Sequence, residues 1–186
     1  MANKKKARVL RSKVLFRGPL FRVTSETVIE PGGIPARRDV VRHPGSVVVL
    51  AVADSAHGPS VLLERQYRHA AQDFLWELPA GRIDHGETAL AAARCELLEE
   101  TGYTARRWKR ALVFYSSPGF LDETMTVYLA QGLQAGRAQP EADELISIRF
   151  FPLAAAVRMA ARGAIRDGKT LAALFWFVGV KGRGRQ

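Results

Sequence analysis

The 186-residue sequence predicts an α/β fold: a mixed β-sheet between helical layers, preceded by a small N-terminal β segment. Three observations carry that reading. Ser46–Ala53 is a continuous Val/Leu/Ala run, as expected of a strand covered on both faces. Thr88–Thr101 reads as a helix, with Thr88 placed as its N-cap and Gly102 placed to end it. Strand-like and helix-like segments then alternate irregularly, which suits a mixed sheet with helices packed on it.

Taken in order, the first 44 residues form short extended segments broken by turns: Lys13–Phe16, Phe21–Ile29, the turn Pro31-Gly32-Gly33, then Ala36–Arg42. His43-Pro44-Gly45 is the clearest break in the first half. After the strand at Ser46–Ala53 come strands at Val61–Tyr67 and Phe74–Leu78, then the helix Thr88–Thr101. Strands follow at Ala111–Tyr115, Thr124–Ala130 and Ile146–Phe151, and two helices at Pro152–Arg162 and Lys169–Val180. In the last helix, Phe175-Trp176-Phe177 is read as a core anchor rather than a cofactor box.

Composition narrows the function classes. Apolar residues make up 47% and charged residues 25%, an ordinary globular balance. A single cysteine, Cys95, allows neither an intrachain disulfide nor a cysteine-built zinc site. The basic start MANKKKARVL lacks the apolar run of a signal peptide, and the longest apolar stretch, Leu171–Val180, is ten residues, half of the ~20 that span a bilayer. A cytoplasmic protein without a membrane partner is expected. The net charge of +10 is concentrated at the ends: without the nine Lys and Arg of residues 1–13 and 181–186, 19 basic residues face 18 acidic ones. Those two segments are expected to be solvated, flexible tails, flanking a β segment at 14–44 and a main domain at 45–180. No aromatic residues interleave with the tail charges, so no specific nucleic-acid partner is expected.

The chemistry is concentrated at Gly81-Arg82-Ile83-Asp84-His85-Gly86-Glu87 and the helix after it. Glu96, Glu99 and Glu100 stand at i, i+3 and i+4, so a helix projects the three carboxylates together although like charges at that spacing weaken it. The bland alternative is an acidic surface helix. Against it, Ala89, Ala92 and Ala93 continue that face with small side chains, which predicts room for a cation to dock. Hard divalent cations take such oxygen ligands, together with substrate phosphates.

This segment resembles the Nudix hydrolase signature: Gly, five residues, Glu, seven residues, then Arg-Glu-aliphatic-any-Glu-Glu-any-Gly-aliphatic. Gly81, Glu87, Glu96, Leu97, Glu99, Glu100 and Gly102 match seven of its nine specified positions. Tyr103 replaces the final aliphatic residue, and Cys95 stands where the family has arginine. Three readings of Cys95 stand side by side: a tolerated loss, a loss compensated by Arg94 or Arg82, and loss of catalysis. A redox role is not supported, because neighbouring carboxylates disfavour the thiolate.

The likeness extends over residues 14–180 and narrows to the ADP-ribose pyrophosphatases. Its further motifs are Glu64-Arg65-Gln66-Tyr67-Arg68, Trp76-Glu77-Leu78-Pro79-Ala80-Gly81, Ser117-Pro118-Gly119-Phe120 with Asp122-Glu123, Pro140-Glu141-Ala142-Asp143-Glu144, and Asp167-Gly168-Lys169-Thr170. The resemblance implies a Nudix-type α/β/α sandwich that cleaves ADP-ribose to AMP and ribose 5-phosphate with Mg²⁺, Mn²⁺ being an alternative ion. Glu96, Glu99, Glu100 and the Ala80 carbonyl would hold the metal. Gly81, Glu87 and Gly102 would shape the motif, and Arg37, Arg68 and Glu123 would contact substrate. Glu144, with Glu141 as the alternative, would help activate water, alongside Glu100 and Glu123. It also implies a homodimer through the N-terminal β segment. Competing expectations are a hydrolase of another nucleoside diphosphate sugar, a non-catalytic ADP-ribose-binding protein, and a basic RNA-processing member of the family.

Overall fold

The computed structural model describes residues 6–56, 58–138 and 145–183. The chain divides into two compact units, Met1–Gly45 with Tyr115–Thr124, and Ser46–Phe114 with Met125–Gln186.

The first unit is an antiparallel three-stranded sheet of β1 (Arg8–Arg17), β2 (Arg22–Ile29) and β3 (Pro35–Arg42), in that spatial order. Here the structure departs from the expected tail. The first strand begins at Arg8 rather than Lys13, so Arg8 and Arg11 are ladder residues opposite Ile29 and Thr27. Every residue of β1 is exposed, so it lacks the buried/exposed alternation by which a strand is recognised in a sequence. In β2 that alternation is clear, with Thr24, Glu26 and Val28 buried. Buried Glu26 accepts from the Arg42 guanidinium at 2.7 Å and from Thr24 Oγ1 at 3.1 Å. The same guanidinium reaches Asp122 at 2.9 Å. Backbone bonds tie the distant segment 115–124 to β3: Val41 N donates to the Phe120 carbonyl at 2.8 Å, and Asp122 N to the Val41 carbonyl at 3.1 Å.

The second unit is built on β4 (Ser46–Ser55), β5 (Gly58–Arg68), β6 (Asp73–Glu77), β7 (Ala80–Arg82), β8 (Tyr103–Tyr115), β9 (Thr124–Ala135) and β10 (Ser147–Pro152). The far ends of β8 and β9, Tyr115 and Thr124, fall in the first unit. The main path runs β10-β5-β4-β9-β8, with β6 added to β5 and β7 to β4. The sheet is mixed: β4 lies parallel to β9 and antiparallel to β5 and β7. Its helices are α1 (Ala89–Thr101), α2 (Leu153–Ala161) and α3 (Gly168–Arg183). Among the described residues, no helix is long and apolar enough to cross a membrane.

The apolar run of β4 is explained by its two faces. Val48, Leu50 and Val52 point into a core shared with Ala156 and Ala160 of α2 and with Ala173, Leu174 and Phe177 of α3. Val47, Val49 and Ala51 point the other way, into a core with Ala92, Ala93 and Leu97 of α1. That arrangement is the expected α/β/α layering. Strand β5 splits likewise, Val61 and Leu63 to the first core and Leu62 to the second. Of the aromatic cluster in α3, Phe177 is buried and Trp176 half-buried against the core, whereas Phe175 is half exposed.

Strand β7 has no counterpart in the sequence reading. It consists of Ala80, Gly81 and Arg82, too short and too small in side chain to show a pattern. Strand β8 begins at Tyr103, eight residues before the expected Ala111, and its early half carries the exposed cations Arg106, Arg107, Lys109 and Arg110. Charges on that exposed face hide the strand.

Candidate active site

Helix α1 is held at both ends by the residues its sequence announced. Thr88 Oγ1 accepts from Ala91 N at 3.2 Å, and Gly102, at φ +73°, returns its N–H to the Leu98 carbonyl at 2.8 Å. A side chain at Gly102 would also meet Ala138 N at 2.6 Å, so glycine is required there twice over. Leu97, fully buried, fixes the rotation of the helix. Ala92 and Ala93 are buried too. They do not leave open room for a cation, as the sequence suggested; they let the helix lie close on β4 and β7.

That rotation separates the three glutamates. Glu100 is buried and accepts from Ala80 N at 3.1 Å. Glu96 is half-buried, and its carboxylate occupies the space that a Cβ on Gly81 would take. Glu99 is exposed. Ala80, Gly81, Glu96 and Glu100 therefore converge on one point of β7. In the loop before the helix, Glu87 N donates to the Asp84 carbonyl at 3.0 Å, and Asp84 N reaches the Glu87 carboxylate at 3.4 Å, so Glu87 braces this turn.

Near Glu100 lies an ionic cluster in which the sequence assigned a role to Arg68 alone, as a substrate contact. Glu77, almost fully buried, accepts from Arg68 Nε at 3.0 Å and Nη2 at 2.9 Å, and also from the Lys169 ammonium. Burial opposes ionisation of Glu77, yet the two cations hold its carboxyl below the usual range. Lys169 also pairs with Asp167 at 3.0 Å. Asp167 caps α3 through Thr170 N at 2.9 Å, and Thr170 Oγ1 accepts from Leu78 N at 2.8 Å. Fully buried Glu64 faces the same cluster. Burial, then the Glu77 charge, pushes its carboxyl up to about 8, against the pull of Lys169, Arg68 and a hydrogen bond with Glu100. A signal for Glu64 was present: it is a carboxylate at the inward, period-two position after Leu62.

The other expected residues stand as follows. Arg68 bonds Glu77 through Nε and Nη2. Arg37 and Glu123 belong to the first unit, where Arg37 bonds Ser25 at 3.0 Å and Asp39 at 3.3 Å, and Glu123 accepts from Ser116 Oγ at 2.8 Å. Glu141 and Glu144 lie outside the described residues. Cys95 is exposed, and its thiol is pushed up by partial burial and by the charges of Glu99, Glu87 and Glu96. Of the two cations considered as replacements for the missing arginine, Arg82 pairs with Asp84 at 2.8 Å, and exposed Arg94 lines a groove with Leu98 and Trp108.

Residues 42–174 match the family model for the NUDIX domain. The chain belongs to the NUDIX family. Among its NUDIX relatives, the ADP-ribose pyrophosphatase of Bacillus subtilis (strain 168) is 34% identical over 162 residues, 86% of each chain. The ADP-ribose pyrophosphatase of Mycobacterium tuberculosis (strain ATCC 25618 / H37Rv) is 38% identical over 164 residues, 87% of this chain and 78% of that one. A crystal structure of an ADP compounds hydrolase has the same fold, with a TM-score of 0.81 over 98% of both chains at 23% identity.

The donor set at the NUDIX helix fits a hard divalent cation: carboxylate oxygens at Glu96 and Glu100, beside a strand at Ala80–Gly81 that carries no side chain at Gly81. Among the described residues, no three His, Cys, Asp or Glu side chains already close around one point as metal ligands. Mg²⁺ does not require that, because it keeps several waters and takes substrate phosphate oxygens.

Proposed function

We propose that this NUDIX hydrolase cleaves the diphosphate of ADP-ribose to AMP and ribose 5-phosphate, with Mg²⁺ or Mn²⁺ held by Glu96, Glu100 and the Ala80 carbonyl and supported by Glu99. The observation that carries the reading is the convergence of Glu96 and Glu100 on the Ala80–Gly81 strand. The substrate class is supported by the two relatives named ADP-ribose pyrophosphatase, which this chain matches over most of its length. When bound, the cation offsets diphosphate charge and makes water more acidic at the attacking position. Gly81 leaves space for the Glu96 carboxylate, and Glu87 braces the preceding turn. Arg68 offers a planar fork suited to phosphate or ribose oxygens, while Lys169 keeps Glu77 paired as Arg68 turns to substrate. Glu144, or Glu141, takes the proton from the attacking water; Arg37 and Glu123 contact the substrate.

A homodimer formed through the N-terminal sheet belongs to the same proposal. Supporting it, β1 is an edge strand with Val9, Val14 and Phe16 about half exposed, at 51%, 45% and 52%. Sedimentation should give twice the 20.5 kDa chain mass.

AMP release from ADP-ribose, compared with GDP-mannose and nucleoside triphosphates, tests the activity. Turnover that requires Mg²⁺, prefers ADP-ribose and falls at least about a hundredfold in Glu100→Gln is the expected result. A stronger rate on GDP-mannose moves the assignment to another nucleoside diphosphate sugar. No turnover on any of them, with tight ADP-ribose binding, makes the chain a binding protein.

A further inference from the structure

Between β6, paired with β5, and β7, paired with β4, the chain crosses in two residues that belong to neither ladder, Leu78 and Pro79. Both are buried, so their backbone groups need partners within the protein. Proline brings no N–H, and its carbonyl accepts from Val49 N at 2.8 Å. The Leu78 N–H goes to a side chain 92 positions away, Thr170 Oγ1, at 2.8 Å. The next N–H, that of Ala80, goes to Glu100. Three consecutive residues are thus tied to α3, β4 and α1 in turn. The chain between the first and the last tie is stiff: Pro79 has a fixed φ, and Leu78, preceding a proline, is confined to extended backbone.

Thr170 is fully buried, and its hydroxyl is held in one orientation. It donates to Asp167 Oδ2 at 2.6 Å, which turns a lone pair to the Leu78 N–H. A carboxylate acceptor makes the first bond strong, and the polarised hydroxyl is a better acceptor in the second. The same Asp167 carboxylate takes Thr170 N at 2.9 Å and Lys169 Nζ at 3.0 Å, and Lys169 bonds Glu77, the residue before Leu78. We propose that Thr170 is a positioning residue for the cation site: through the Leu78 N–H it sets where Ala80 presents its carbonyl beside Glu96 and Glu100. The inference rests on the metal-helix reading above. Asp167 acts one step further back, by fixing the direction of the Thr170 hydroxyl. Capping of α3 does not account for the arrangement, because the cap bond is made by the Thr170 N–H and the hydroxyl is additional to it.

Mn²⁺ alone is the probe, titrated into chelator-treated full-length protein and followed by the electron paramagnetic resonance signal of the free ion and by calorimetry. No nucleotide is present. Thr170→Val removes the hydroxyl but keeps the cap bond of the Thr170 N–H, whereas Thr170→Ser keeps both. Thr170→Val should weaken Mn²⁺ binding about tenfold or more, within the range expected when a group orienting a metal ligand is removed. Thr170→Ser should bind Mn²⁺ as the parent does. Circular dichroism establishes that each variant is folded; if the valine variant is not, Thr170→Ala, which sets no extra methyl group against the Asp167 carboxylate, decides by the same measure. Unchanged Mn²⁺ affinity in Thr170→Val, whatever its melting temperature, with affinity lost in Glu100→Gln, makes Thr170 a structural residue only and leaves the metal helix standing. A serine variant as weak as the valine one also overturns the role of the hydroxyl. Unchanged affinity in Glu100→Gln overturns the metal-helix reading and this inference with it.

Discussion

At the scale of single residues, Gly81 and Cys95 make opposite demands. Any side chain at Gly81 would collide with the Glu96 carboxylate, the mobile end of its side chain rather than backbone. Gly81→Ala should therefore fold, with a melting temperature near that of the parent, while Glu96 swings away and Mn²⁺ affinity drops. A collapse in stability instead would show that Gly81 serves the backbone and not the carboxylate. At Cys95, an arginine would face Glu99, Glu87 and Glu96. Because the position is exposed, Cys95→Arg should add no more than about 1 kcal/mol of stability, and that gain should fade in high salt. Turnover should rise by less than about tenfold, the equivalent of 1.36 kcal/mol. The native thiol should react slowly with alkylating reagents at neutral pH despite its exposure, since burial and neighbouring carboxylates both keep it protonated.

At the scale of elements, α1 depends on packing more than on its caps. Removing the Thr88 hydroxyl in Thr88→Ala costs one cap bond, about 1 kcal/mol. Removing the Leu97 side chain opens a cavity against Val47, Val49 and Leu62, and Leu97→Ala should cost about 2–5 kcal/mol. Urea titrations of the two variants check the ranking. Equal losses would mean that the helix is held by its end and not by the sheet. The caps of α1 could be read directly because a Thr at the start and a Gly at the end act within one helical turn. Strands β1, β7 and the first half of β8 could not, for separate reasons: β1 has no buried face, β7 is three small residues, and early β8 carries cations outward. A period-two signal exists only where one face is buried and the other is not.

At the scale of the whole molecule, the two units should respond differently to acid. Hydrogen bonding from Arg42 holds the Glu26 carboxyl below its usual value, with Thr24 and Ser12 adding to the effect. A carboxylate lowered in the folded state stabilises it above the unfolded value of about 4.5, and that contribution is lost as pH falls through the folded value. Backbone hydrogen exchange over β2 and β3, corrected for intrinsic rates, should accelerate below about pH 4.5, and Glu26→Gln should flatten that dependence. An unchanged acid profile in the variant would assign the effect elsewhere.

Sequence alone carried the information that acts over short range: the spacing of Gly81, Glu87, Glu96 and Glu100, the caps of α1, the doubly buried β4, and with them the family and layer order. Those features rest on helical and pleated periodicity, which spacing encodes. Folding in three dimensions added what joins distant segments. Residues 115–124 complete the sheet unit of the first 45 residues, Lys169 meets Glu77 across 92 positions, and Glu64 on a strand is brought to Glu100 on a helix. No local pattern specifies such pairs, because their partners are chosen by strand pairing and by the rotation of α1 on its buried Leu97.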